Sequence, residues 1–233
     1  MFVYHKNNKA MLISNNPVKE GSSLINIYDP VLELRVDFED KKVVICGNFN
    51  MDLIELDSLC IGYTNADLYK FTAKDETVSG KCNNKITIHN FDTTLIINSF
   101  ELELEGIEPI YLGYLFTGQK TVLPRFIIGS SNSINLPSES SRSFGGQAYG
   151  ARRRTLNNFA ASFKRITNED KKLIEIYIDE ALNTEAHIID PYAEARDEFP
   201  PMYGTLSISD LPFEKRPESG FFWDCNLSWR EAR

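Results

Sequence analysis

The chain has 233 residues, of which 42% are hydrophobic and 25% are charged, and its formal net charge is -8. This length is sufficient for one large or two small domains, and the hydrophobic content argues against a disordered chain. The negative charge disfavours bulk nucleic-acid binding, which normally requires an excess of Lys and Arg. No apolar run approaches the roughly 20 residues of a membrane-spanning helix, and the first residues lack the apolar segment of a secretion signal, so we expect folding in the cytoplasm.

Residues 1–126 have the pattern of an all-β domain. Apolar segments with the period-two alternation of strands follow one another at spacings of roughly 8–14 residues, without an intervening helix. The clearest are 31–38, 53–63, 67–73, 85–89 and 95–98. This arrangement predicts an antiparallel β-sandwich of the jelly-roll type over residues 1–126.

The segment 95–124 is the most regular part of this domain. Between residues 100 and 105, Phe and Leu alternate with Glu, which predicts a strand with one buried and one solvated face. After a short turn at 106–109, the segment 110–116 is apolar on both faces and predicts a strand covered on both sides. We expect these two strands to form a hairpin that closes the first domain.

Three glutamates on this strand, Glu101, Glu103 and Glu105, are the main candidates for site chemistry. A carboxylate row could bind calcium or hydrolyse a glycosidic bond, since both use acidic oxygens. Their regular alternation with apolar residues favours a solvated sheet face instead. The histidines and cysteines are scattered without the spacing of a metal site. We therefore predict no enzyme activity, no catalytic residue, no metal site and no cofactor.

The composition changes after residue 126. Residues 127–150 are rich in Ser, Asn and Gly and predict a loop or linker. Residues 151–233 predict a smaller α+β assembly region with one principal helix at about 168–182, where Thr167 is the expected cap and acidic residues follow in the first turn. The closing segment 221–229 alternates aromatic and polar residues, and such a terminal strand has to be docked against something.

The only basic cluster lies in this second region. Arg152, Arg153 and Arg154 could bind phosphate or nucleic acid, or could pair with carboxylates across a subunit interface, and the acidic character of the chain favours the second. We predict an interface role for these arginines and for three aromatic residues, although the aromatic strand could equally belong to the core of its own subunit. The predicted interface residues are Arg152, Arg153, Arg154, Phe221, Trp223 and Trp229.

Two stretches of the first half, LIELDSLCIGYTNADLYKFTA and EPIYLGYLFTGQKTVLPRF, resemble a discoidin-like jelly-roll domain as it occurs in tail proteins of tailed bacteriophages and prophages. The second half resembles the C-terminal regions of phage minor tail or baseplate proteins. The residues that resemble them are RSFGGQAYGARRRTLNNFAASF, TNEDKKL, HIIDPY, PPMYGTLS and FFWDCNLSWREA.

This resemblance implies a structural virion protein of a phage-like tail tip or baseplate, assembled in the bacterial cytoplasm. Its partners would be further copies of itself and other tail proteins, together with a host-surface glycan. The alternative is a carbohydrate-binding β-sandwich module. Discoidin-like modules bind ligands at loops on one end of the sandwich, which here are 64–67 and 118–122, and neither loop carries an aromatic platform for a sugar.

Overall fold

The structure is a computed structural model. It describes residues 1–28, 35–50, 52–83, 85–127, 131–135, 138–142, 148–152, 156–182, 186–207, 213–215 and 222–232.

The chain divides into two compact units. The sandwich unit consists of Phe2–Val122 and Ile188–Pro201. The helical unit consists of Leu123–His187 and Met202–Ala232. The predicted ranges 1–126, 127–150 and 151–233 are consecutive segments, whereas in the structure a late segment of the chain belongs to the sandwich unit.

Strands predominate in both units, and α1 belongs to the helical unit. In chain order, the elements are β1 (Phe2–Asn7), β2 (Met11–Ser14), a 3₁₀ helix (Leu24–Tyr28), β3 (Val36–Asp37), β4 (Lys42–Asn48), β5 (Ile54–Thr64), β6 (Leu68–Ala73), β7 (Glu76–Lys81), β8 (Ile86–Ile97), β9 (Ser99–Glu105), β10 (Tyr111–Val122), β11 (Ser131–Asn135), β12 (Ser138–Arg142), β13 (Ala148–Arg152), β14 (Leu156–Ile166), α1 (Asn168–Leu182), β15 (His187–Asp190), β16 (Met202–Ser207), β17 (Phe213–Lys215) and β18 (Trp223–Glu231).

The sandwich unit contains two antiparallel layers. One is a five-stranded sheet in the order β2-β4-β9-β6-β7. In the other, β10 pairs with β1, β3 and β5, β5 pairs with β8, and β1 also pairs with β15. Alternate apolar side chains of both layers share one buried core, which includes Val43, Ile45, Leu59, Ile61, Phe71, Leu102, Leu104 and Leu115. The predicted antiparallel β-sandwich of jelly-roll type is confirmed.

The predicted hairpin of the segment 95–124 is wrong. Strand β9 pairs with β4 and β6, whereas β10 pairs with strands of the other layer. The connection between them crosses from one layer to the other and is fixed by backbone hydrogen bonds from Gly106 N to Lys41 O (2.9 Å) and from Ile110 N to Asp40 O (2.9 Å). A short connection between two strands suits a hairpin and a crossover between layers equally well, so the alternation alone does not determine the partner.

The helical unit is built on antiparallel pairs of β11 with β14, β14 with β18, and β18 with β16 and β17. Strands β12 and β13 form a separate pair. The segment predicted as a loop or linker, 127–150, therefore contains β11, β12 and the start of β13. Ser, Asn and Gly can form the backbone hydrogen bonds of a sheet like any other residue except Pro. A composition rich in these residues therefore does not exclude strands in the segment 127–150.

The predicted helix is confirmed as α1, together with its cap. The Thr167 hydroxyl accepts a hydrogen bond from Asp170 N (3.1 Å), and the Asp170 carboxylate accepts one from Thr167 N (3.1 Å). This reciprocal arrangement satisfies two backbone donors at the helix start. Ile174, Tyr177 and Ala181 are buried at the expected spacing. Among the described residues, no helix has the length and apolar character needed to cross a membrane.

Candidate functional site

The outer face of the five-stranded sheet carries a groove of about 310 Å³. It lies over β6, β7 and β9, on the side of the sheet that does not contribute to the core. The residues that line it are Leu68, Tyr69, Lys70, Ser79, Gly80, Lys81, Glu103 and Glu105. We refer to this feature as the sheet-face groove. Its volume is at the lower end of the range of small-molecule sites in proteins, roughly 300–1,000 Å³.

Strand register places the polar side chains of the groove next to one another. Glu103 of β9 lies opposite Lys70 of β6, and Lys70 lies opposite Ser79 of β7. One step along the same face, Leu68 lies between Glu105 of β9 and its other partner, Lys81. Because every second residue of a strand faces the same side, these side chains share the outer face. The groove therefore combines carboxylates, ammonium groups, a hydroxyl and one apolar side chain.

The two carboxylates of the groove are held by a lysine from the neighbouring strand. The Lys42 ammonium lies 2.9 Å from Glu103 Oε1 and 3.6 Å from Glu105 Oε2. The hydrogen bond from Lys42 lowers the pKa of Glu103 and, in turn, raises the pKa of Lys42. Both carboxylates therefore already have a counter-ion, and the lowered pKa of Glu103 favours its ionised form.

The two lysines on the opposite wall of the groove are in a different situation. Lys70 and Lys81 are exposed, and neither forms a salt bridge with a described residue. Lys70 contributes to the lowered pKa of Glu103 only through a longer-range electrostatic effect. The β6–β7 wall therefore presents positive charge that no described residue neutralises by direct contact.

The backbone of this wall is supported from the core side by one aromatic residue. Tyr69 is 7% exposed and lies opposite Gly80 in the β6–β7 ladder. A Cβ at position 80 would lie 2.9 Å from Tyr69 Cε1, so the ring requires a residue without a side chain there. This packing fixes the two strands whose outward side chains form the groove.

A second polar cluster lies in the sandwich unit and is centred on a buried carboxylate. Asp190 is fully buried, and its Oδ2 accepts hydrogen bonds from Arg196 Nε (2.9 Å) and Nη2 (2.7 Å). Arg196 Nη1 also contacts the carbonyl oxygen of Ile88 at 3.4 Å. The Oδ1 atom of Asp190 has no hydrogen-bond partner among the described residues. Burial raises the pKa of Asp190, and Arg196 acts in the opposite direction.

Hydroxyl and amide groups complete this buried cluster. Asn90 Oδ1 accepts hydrogen bonds from the hydroxyls of Tyr4 (3.3 Å) and Ser58 (3.0 Å). Burial raises the pKa of Tyr4, with smaller contributions from Cys60 and Asp190. We call these residues, with Asp190 and Arg196, the buried polar cluster. Its hydrogen bonds run between groups of the sandwich unit, and only Oδ1 of Asp190 is left without a partner among the described residues of the cluster.

The side chains of four of the six predicted interface residues lie outside the described part of the structure. Arg153, Arg154 and Phe221 lie outside the described residues. Arg152 is the last residue of β13, where it pairs with Ser138, and its side chain is likewise outside the described part. The interface role of the arginines stays a prediction.

The two predicted interface tryptophans lie in the helical unit. Trp229 is 1% exposed and donates a hydrogen bond from Nε1 to the Tyr177 hydroxyl at 2.6 Å. The predicted interface role of Trp229 is therefore corrected, because its side chain belongs to the core of its own chain. Trp223 is partly exposed and donates from Nε1 to Asn168 Oδ1 at 2.9 Å, while the Lys171 ammonium lies 4.5 Å from its ring centre.

The two loops expected to bind ligands contribute little to a site. In the loop 64–67, Thr64 and Asn65 bind backbone groups: Asn65 accepts from Tyr111 N (2.8 Å) and donates to Pro109 O (3.0 Å). Residues 118–122 are part of strand β10 rather than a loop. Among the described residues, no three His, Cys, Asp or Glu side chains lie close enough to hold a metal ion.

Sequence reasoning singled out only the glutamate side of the sheet-face groove. Lys70, Ser79 and Lys81 were missed because they lie on other strands, and their proximity depends on register. The alternation of polar residues in 68–73 and 76–81 is the signal that could have indicated an outward face.

No protein-family model matches this sequence, and no curated protein matches it either. Among solved structures, a chitosan-binding module from a Paenibacillus sp. chitosanase/glucanase is similar with a TM-score of 0.42 and 10% identity, over 49% of this chain and 100% of that chain. A CBM32 module from a Clostridium perfringens family 31 glycoside hydrolase has a TM-score of 0.39 and 7% identity, over 49% of this chain and 99% of that one.

A Ruminococcus gnavus GH29 fucosidase, solved with fucose, has a TM-score of 0.43 and 12% identity, and the match covers 51% of this chain but only 27% of that enzyme. These matches are similarities of about half of this chain at low identity. A function for this chain therefore has to follow from its own residues.

Proposed function

We propose that the chain is a non-catalytic binding module that holds a carbohydrate in the sheet-face groove. The observation that carries this proposal is the groove itself, with carboxylates, ammonium groups and a hydroxyl converging on about 310 Å³ of the open sheet face. A concave site with a few convergent polar groups is typical of ligand binding.

The chemistry of the lining suits a sugar. Glu103 and Glu105 accept hydrogen bonds, whereas Lys70 and Lys81 donate them, so both donor and acceptor functions of sugar hydroxyls find partners. Leu68 is 47% exposed in the same groove and offers apolar contact to the C–H face of a ring. Charge-assisted hydrogen bonds of this kind are stronger than those between neutral groups.

The electrostatics of the groove support binding rather than hydrolysis. A glycosidase needs one carboxylic acid that stays protonated near neutral pH, and such an acid has a raised pKa. The hydrogen bond from Lys42 instead lowers the pKa of Glu103, and Glu105 also lies within 3.6 Å of the Lys42 ammonium. Glu103 is therefore not held in the protonated form that a general acid requires.

The proposal is tested by isothermal titration of the full chain with neutral, amino and acidic oligosaccharides. The variant Ser79→Tyr places an aromatic side chain in the groove, and tyrosine is well accommodated in strands. We expect it to weaken binding of the best ligand by about tenfold or more. The matched control is Thr77→Tyr, which adds the same side chain on the same face of β7 but outside the groove.

If Ser79→Tyr and Thr77→Tyr bind with the affinity of the original chain, the groove is not the binding site. If no oligosaccharide of the panel binds the original chain, the carbohydrate-binding proposal fails. Circular dichroism of both variants shows whether the sheet is retained.

The role of a structural subunit in a phage-like tail, acting through contacts between copies, stays a prediction. Its support is the sequence resemblance of the second half of the chain. Light scattering after size exclusion over a concentration series tests this role. Rings or a defined oligomer are the expected result. A strict monomer would contradict assembly through contacts between copies and would leave only assembly with other tail proteins.

A further inference from the structure

The charges of the sheet-face groove are distributed unequally between its two walls. On the β4–β9 side, the Lys42 ammonium contacts both Glu103 (2.9 Å) and Glu105 (3.6 Å). One lysine thus serves two carboxylates, and the Glu103 contact is a direct hydrogen bond that lowers the Glu103 pKa. Glu103 and Glu105 are therefore already paired with Lys42 before any ligand binds.

Among the described residues, the β6–β7 wall has no such internal counter-ion. Lys70 and Lys81 are exposed, and no carboxylate of a described residue lies within salt-bridge distance of either ammonium group. They are diagonal neighbours on one face of an antiparallel pair, since Lys70 is opposite Ser79 and Lys81 is opposite Leu68. Such diagonal positions are about 7–8 Å apart, a span that an anionic group between two long side chains can bridge.

Two further groups complete a site for one acidic sugar unit. The exposed Ser79 hydroxyl lies on the same face, directly opposite Lys70 and two residues before Lys81 on β7, and can donate a hydrogen bond to an oxyanion. Leu68 is 47% exposed beside Lys81 and can contact the apolar face of the ring. On the other side of β6, Glu103 and Glu105 of β9 supply hydrogen-bond acceptors.

We infer that the sheet-face groove selects carbohydrates with an anionic group, a carboxylate or a sulfate, which binds between Lys70 and Lys81. The inference rests on the proposed carbohydrate-binding function and adds the charge of the ligand to it. The attraction acts between exposed charges, so it contributes specificity more than affinity and weakens as salt is added. A neutral sugar of the same length can accept hydrogen bonds from the two lysines through its hydroxyls, but it has no negative charge to pair with the two ammonium groups.

The test compares three tetrasaccharides of similar length by titration of the full chain: a galacturonate, a sulfated galactan and the unmodified neutral galactan. We expect one or both acidic probes to bind about tenfold or more tightly than the neutral one at low salt, with the ratio falling at high salt. Which acidic probe is preferred distinguishes a carboxylate from a sulfate.

The double variant Lys70→Ala/Lys81→Ala should reduce the ratio of acidic to neutral affinity to near unity, because the neutral probe loses only hydrogen bonds whereas the acidic probe also loses both opposite charges. The matched control is Lys19→Ala/Lys41→Ala, which removes two exposed lysines that do not line the groove. It changes the net charge by the same amount and should keep the preference for acidic probes, because both groove lysines remain.

Two results would overturn the inference and leave the proposed function intact. One is equal affinity of the original chain for acidic and neutral probes, and the other is a preference for acidic probes that survives in the Lys70→Ala/Lys81→Ala variant. Absence of binding to all probes and to the wider panel would instead reject carbohydrate binding itself.

Discussion

The sandwich unit contains two charged clusters that differ in their access to water. In the sheet-face groove, the side chains of Lys42 and Glu105 are 56% and 54% exposed. In the buried polar cluster, Asp190 is 0% exposed and its partner Arg196 is 30% exposed at the side chain. Both clusters contain a cation within 3 Å of a carboxylate, with contacts of 2.9 Å in the groove and 2.7 Å in the buried cluster.

Similar contacts therefore serve different purposes according to their burial. Exposed ion pairs contribute little to stability, because water and salt screen them, and their groups can exchange partners with a ligand. A buried pair loses its hydration on folding, so removing one partner leaves the other charge uncompensated. The groove charges are thus suited to recognition, whereas the buried pair serves the packing of the sandwich unit, where Arg196 also contacts Ile88 O.

The largest expected effect is that of Arg196→Ala. The change leaves the Asp190 carboxylate buried without the cation that pairs with it, which costs about 3–5 kcal/mol in the free energy of unfolding. It also removes the contact with Ile88 O. Native-state hydrogen exchange of the amides in β5 and β10 measures the loss in the sandwich unit. Both tryptophans, Trp223 and Trp229, lie in the helical unit, so tryptophan fluorescence reports that unit separately.

The control for this experiment is Lys42→Ala, which removes the corresponding cation of the groove. We expect it to change the exchange rates of the same amides little, because Glu103 and Glu105 remain hydrated without it. Equal losses in the two variants would contradict the distinction between the clusters.

A smaller effect is expected from Tyr4→Phe. This change removes the hydroxyl that donates to Asn90 Oδ1 at 3.3 Å while keeping the ring, which packs edge-on against Phe116 with centroids 5.7 Å apart. Since Ser58 still donates to Asn90, the expected loss is about 1 kcal/mol or less. Hydrogen exchange of β1 and β10 measures it, and a loss as large as that of Arg196→Ala would mean that Tyr4 is coupled directly to Asp190.

The sequence allowed individual strands of the sandwich unit to be predicted, but it did not allow the partner of each strand to be predicted. Alternation of Phe100, Leu102 and Leu104 with glutamates correctly indicated which side of β9 faces the core, because that signal is local. Which strands pair with β9 depends on residues far away in the chain, so no local pattern indicates it. The sequence therefore did not indicate that Lys70 and Ser79 share the groove with Glu103, nor that β9 and β10 belong to different layers.

The buried polar cluster could not be predicted for a related reason. Asp190 ends the apolar run of β15, and Arg196 follows in a charged segment that resembles an ordinary turn. Nothing in the spacing of these two residues indicates that they pair inside the sandwich unit. Their burial depends on a late segment of the chain joining a sandwich formed by residues 2–122, which is a tertiary event and leaves no periodic signal.

The smallest expected effect is a pH dependence of opposite sign in the two clusters. Burial raises the pKa of Asp190, so in the folded state this group binds a proton more readily than in the unfolded state. Its contribution to stability is complete below the unfolded value of about 3.9 and is lost as the pH rises through the folded value. Because Arg196 opposes the effect of burial, we expect a modest change.

Glu103 has the reverse dependence. Its pKa is lowered by the hydrogen bond from Lys42, so its contribution to stability is present above about 4.3 and is lost as the pH falls through the folded value. On acidification, the original chain should gain stability relative to Asp190→Asn and lose stability relative to Glu103→Gln. Urea unfolding of the three proteins between neutral and acidic pH measures both differences. Differences of the same sign would mean that burial of Asp190 and the Lys42 hydrogen bond to Glu103 do not shift the two pKa values in opposite directions.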